Sequence, residues 1–102
     1  MSVSPLPKRL KKARLEAKLP QKRLGIAAGM DEFSASARMN HYEIGRHTPD
    51  YSMLKRIADV LNLLVAYFYT DSDELAELIK LFNGLNSIDR ATVIKRFNDS
   101  LE

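Results

Sequence analysis

The chain contains no cysteine, so a disulfide framework, a thiolate zinc site and a cysteine nucleophile are all excluded. It also lacks a long hydrophobic run. The longest, from Leu63 to Tyr69, has seven residues, far short of the roughly 20 needed to span a bilayer. The N-terminus is basic, but no apolar segment follows it, and no signal peptide is expected. There is no glycine-rich phosphate loop, and no serine sits in a nucleophile context. The two histidines, His41 and His47, are six positions apart rather than the four of a helical metal pair. No enzyme, no metal and no cofactor is therefore expected.

What remains is a chain of 102 residues, 45% hydrophobic and 28% charged, the composition of one soluble domain with a modest core. A reducing, cytoplasmic setting fits the missing cysteines. The pI of about 9.3 leans toward polyanions. Its basic charge is uneven: residues 1–50 carry ten Lys/Arg against five Asp/Glu, residues 51–102 six against eight. One half can attract phosphate while the other does something else.

The pattern is all-α. Residues 1–7, with two prolines and two serines, read as a loose arm. A helix over about Lys8–Ala17 turns Leu10, Ala13, Arg14 and Ala17 to one side and leaves Lys8, Arg9, Lys11 and Lys12 to solvent or phosphate. Arg14 on the inward side requires a partner. Next comes Gln21–Arg46, two short helices joined by a turn. Gly29 ends the first, and Gly45 ends the second, expected over about Ser34–Ile44. Ala35, Met39 and Tyr42 face inward at helical spacing, leaving Ser36, Ala37, Arg38, Asn40 and His41 outside. Small, hydrogen-bonding residues with one Arg are poor core material. They suit the major groove, where donors, acceptors and a thymine methyl are met at close range.

Asp50 caps a helix over about Tyr51–Leu61 whose Leu54, Ile57, Ala58 and Leu61 repeat at i, i+3, i+4, i+7. Leu63–Tyr69 reads as a short helical turn closing the core, its three aromatics as packing rather than a base-stacking platform. Two further amphipathic helices follow. One is capped by Asp71 or Ser72 and runs through about Asn83. The other is capped by Ser87 and covers about Ile88–Asn98. Their apolar residues Leu75, Leu78, Ile79, Phe82, Val93, Ile94 and Phe97 exceed what the core needs and are expected to form a dimer interface.

The chain resembles the Cro/C1-type (xenobiotic-response-element family, lambda repressor-like) helix-turn-helix regulators over about Leu10–Tyr69. The matching residues are Leu10, Arg14, Leu19, Gln21, Leu24, Gly29, Met39, Tyr42, Glu43, Gly45, Pro49, Leu54, Ile57, Ala58, Leu61 and Leu63. The resemblance implies a five-helix DNA-binding domain (residues 1–70) followed by a C-terminal helical extension (71–102). It also implies a homodimer on a palindromic operator, most often as a repressor of transcription. It places base contacts at Ser36, Ala37, Arg38 and His41, and backbone contacts at Gln21, Lys22, Asn40, Arg46 and His47. It reads Arg14 and Glu43 as an internal salt bridge. The rival reading is a protein-interaction module, with a toxin or an anti-repressor as partner.

Two departures stand out. The stretch Met30–Ser34 is longer than the family's turn by about four residues. It either adds a turn to the reading helix with Asp31 as cap or lengthens the loop. Gly25 stands where the family usually has alanine; glycine permits close helix packing but weakens the helix by about 1 kcal/mol.

Overall fold

A computed structural model describes residues 3–102; Met1 and Ser2, the start of the expected arm, lie outside it. The described residues form six α-helices and no strand: α1 (Leu6–Glu16), α2 (Gln21–Ala27), α3 (Ala35–Glu43), α4 (Tyr51–Val60), α5 (Asp73–Asn83) and α6 (Ser87–Ser100). A 3₁₀ turn, Val65–Tyr69, lies between α4 and α5.

The first helix starts two residues earlier than its sequence pattern suggests. Prolines are tolerated in a first turn, Ser4 Oγ accepts the Leu6 N–H at 3.2 Å, and Leu6 is fully buried. Arg9 also differs from the expectation of a solvent- or phosphate-facing cation. It is buried, donating through Nε to the Thr70 carbonyl (2.8 Å) and through a terminal nitrogen to Asp73 (3.1 Å), over the Tyr67 ring. The residue ties α1 to the start of α5. Lys80 adds a second tie across the same seam by donating to Glu16 at 3.1 Å, a hydrogen bond that raises the Lys80 pKa above its ordinary value.

The core is one cluster: Leu6, Leu10 and Ala13 of α1, Leu24 of α2, Met39 of α3, Leu54, Ile57 and Ala58 of α4, and Tyr67 with Phe68 of the 3₁₀ turn. Tyr67 and Phe68 meet edge-on at 5.2 Å inside it, while Tyr69 stays half exposed, so this aromatic run is mostly packing. Side-chain caps fix three helix starts: Asp50 accepts from Met53 N, Ser72 from Leu75 N and Asn86 from Asp89 N. The last of these corrects the expected cap by one residue, from Ser87 to Asn86.

α5 joins the core through Ala76, which is buried. By contrast, α6 contains no buried residue. It is held beside α5 by Arg90, which donates to the main-chain carbonyls of Phe82 (3.1 Å) and Asn83 (2.9 Å) and lies over the Phe82 ring. Between α5, α6 and the 3₁₀ turn opens a wholly apolar groove of about 220 Å³. Leu75, Leu78, Ile79, Phe82, Val93, Ile94 and Phe97 line it together with Leu64 and Ala66. No helix of the described residues is long and apolar enough to cross a membrane.

Candidate nucleic-acid interface

α2 and α3 pack closely against each other because Gly25 leaves no side chain between them. A Cβ there would lie 2.9 Å from Ala35 Cβ, 2.9 Å from Met30 Sδ and 3.2 Å from the Ala35 carbonyl oxygen. The two departures noted in the sequence are thus one feature: the lengthened turn folds Met30 back into the space that alanine would fill. Gly29, at φ +95°, starts that reversal, and Arg56 Nε closes the end of α2 by donating to the Ala28 carbonyl at 2.9 Å.

The turn is ordered by Asp31. Its carboxylate accepts the Phe33 N–H (3.0 Å), and its carbonyl accepts those of Ser34 (3.1 Å) and Ala35 (2.9 Å). The added residues therefore make a capped helical turn that leads into α3, while α3 itself begins at Ala35.

α3 buries Ala35, Met39, Tyr42 and Glu43. Glu43 is the anchor. Arg14 grips it with two nitrogens, Nε to Oε2 at 2.5 Å and Nη2 to Oε1 at 3.0 Å, and donates a third hydrogen bond to the Leu19 carbonyl at 2.8 Å. Both side chains are buried, so the forked geometry compensates the desolvation that an isolated charge would suffer. Gln21, at the start of α2, donates its amide to the same Glu43 carboxylate (3.1 Å) and to Asn40 Oδ1 (3.2 Å). One network thereby fixes α3 against both α1 and α2. Every fully buried side-chain nitrogen and oxygen among the described residues has a partner.

The outer face of α3 carries Ser36, Ala37 and Asn40, all exposed. His41 is half-buried because the loop after α3 folds over it. The N–H groups of Arg46 and His47 both reach the His41 carbonyl, at 2.9 and 3.2 Å, and the two imidazoles meet edge-on at 5.0 Å. Gly45, at φ +78°, permits that reversal. Arg38 lies half-buried on the flank, donating to Tyr42 Oη at 3.2 Å. Lys22 is exposed beside Gln21, and Arg46 and His47 are exposed in the loop. The Gln21–Asn40 bond and the His41–His47 contact bring the start of α2, the face of α3 and the following loop onto one surface. The Gln21 amide donates both of its hydrogen bonds to protein groups, Glu43 and Asn40.

Phe33, on the capped turn, is 90% exposed and was not singled out by sequence pattern. The signal was available: an aromatic residue two positions before α3, outside the buried periodicity of Ala35, Met39 and Tyr42.

No protein-family model matches this chain, and no curated protein matches it. A solved structure does: the crystal structure of the transcriptional regulator BswR is 45% identical over 92% of this chain and 93% of that one, with a TM-score of 0.86.

Proposed function

The chain belongs to the family of the transcriptional regulator BswR, and from that membership we propose that it is a sequence-specific, double-stranded DNA-binding regulator of the Cro/C1 type, acting as a repressor. The observation that carries the reading is the outer face of α3, small and polar and free of salt bridges, locked in place from behind by Arg14, Glu43 and Gln21. A helix held that firmly, with groups that match base edges turned outward, can enter a major groove without reorganising. Ser36, Ala37 and His41 read bases, with Arg38 beside them. Gln21, Lys22, Asn40, Arg46 and His47 position the duplex through its phosphates.

The active form is a homodimer on a palindromic site. Residues 1–70 carry the DNA-binding surface, and 71–102 the association surface. The apolar groove between α5 and α6 supports this, since its lining has no polar component to leave in water. A two-fold pairing there sets the reading helices roughly 34 Å apart, one turn of DNA.

A second reading rests on the same groove: its occupant is a foreign protein, such as a toxin or an anti-repressor, rather than a second copy. Selection of duplexes from a randomised pool, followed by sedimentation of the full chain with and without the selected duplex, tests both readings. Enrichment of a palindrome bound by two copies supports the regulator. A monomer that enriches no sequence would sink it and leave the interaction module.

A further inference from the structure

Phe33 is the most exposed large apolar side chain among the described residues, 90% accessible on a turn that three hydrogen bonds to Asp31 hold in shape. An aromatic ring left in water on an ordered turn gains free energy when a partner covers it. The backbone that carries the ring has a defined helical phase. The Ala35 N–H to Asp31 and the Arg38 N–H to Ser34 hydrogen bonds, both of the i to i−4 helical kind, carry the helical phase of α3 back through the turn. Phe33, Ser36, Ala37 and Asn40 then repeat at i, i+3, i+4 and i+7, opposite the buried Ala35, Met39 and Tyr42.

From this we infer that Phe33 is a specificity-determining residue, packing its ring on a thymine C5-methyl group at the edge of each half-site. The inference rests on the DNA-binding reading above and adds a contact that the reading does not contain. A turn carrying Asp31 and Glu32 repels phosphate rather than binding it, so its contribution must come through the ring and the base edges. The thymine methyl is the apolar group of the major groove, and phenylalanine is among the side chains that meet it. Met30, buried against Gly25, fixes how far the turn projects and therefore which base step the ring reaches.

The test uses the full chain and the duplex that it selects from a randomised pool, in which each thymine is replaced in turn by uracil, removing only the methyl group. For the unsubstituted chain, uracil at one outer position of each half-site weakens binding about fourfold, the equivalent of one buried methylene. Phe33→Ala weakens binding to the thymine duplex to a similar extent and shows no further loss at that uracil. Phe33→Leu, still apolar, retains part of the discrimination. Both variants melt as the parent does, because the ring packs on nothing in the free protein. The proposal is overturned if Phe33→Ala keeps every uracil penalty, binds the thymine duplex as tightly as the parent, or loses equally on scrambled DNA. Failure of the unsubstituted chain to select any duplex would instead bring down the regulator reading, and this contact with it.

Discussion

Met30 Sδ lies 2.9 Å from the point where a Cβ on Gly25 would stand, so the lengthened turn and the missing side chain occupy one space. Replacing Gly25 by alanine opposes two effects. Helix propensity gains about 1 kcal/mol. Overpacking against Ala35 Cβ and the Ala35 carbonyl, which unlike the thioether cannot swing aside, loses about 1–3 kcal/mol. The expected net effect of Gly25→Ala is a loss of about 1 kcal/mol, seen as a lower urea midpoint with an unchanged slope. A higher midpoint would mean that the α2–α3 gap is looser than the 2.9 Å approach implies.

Glu43→Ala removes one partner of a buried pair and strands Arg14, whose remaining bond is to the Leu19 carbonyl. The expected loss is about 3 kcal/mol of folding stability, read from thermal melts. The surviving folded fraction should keep its preference for the selected duplex over a scrambled one.

Ala37 and His41 are four apart on α3 and share a face. His41→Ala should lose about 1–3 kcal/mol on the selected duplex and little on random DNA. Equal loss on both would make His41 a backbone contact. Its half-burial against His47 gives a structural reason for checking this position first.

Lys22 is exposed at the start of α2 and is expected to sit on a phosphate. Lys22→Ala should weaken all duplexes alike and reduce the slope of log K against log salt by about 0.9. A flat salt response in the parent chain would argue against DNA as the partner.

Phe97 of α6 and Leu78 of α5 both line the apolar groove and both stay partly exposed. Phe97→Asp should yield a folded monomer by sedimentation, with only weak half-site binding. Point substitution is cleaner than cutting at residue 71. Removing α5 would also strip Ala76 from the core and leave the buried Arg9 without Asp73.

The helices were legible where burial and local chemistry agreed. In α4 the apolar repeat and the Asp50 cap place a helix over about Tyr51–Leu61, and the structure has it over Tyr51–Val60 with Leu61 as the C-cap. In α3 the inward set Ala35, Met39 and Tyr42 reads directly from spacing. What escaped the sequence was long-range. Arg9 looks like one more cation of a basic helix, and only the fold brings the Thr70 carbonyl and Asp73 within its reach across more than 60 positions. The coupling of Gly25 to Met30 was equally hidden, because each departure has its own local explanation. Phe33 follows no burial pattern and shows its meaning only once the turn before α3 has a shape.

The attachment of α6 carries an evolutionary consequence. Arg90 fastens this helix to the main-chain carbonyls of Phe82 and Asn83, and α6 buries none of its own side chains. Nearly every position on α6 can therefore change without loosening the anchor or disturbing the core that supports α3. The exposed surface of α6 and the outer face of α3 can drift independently, and one arrangement of the helices around α3 can be inherited by lineages whose C-terminal helices differ.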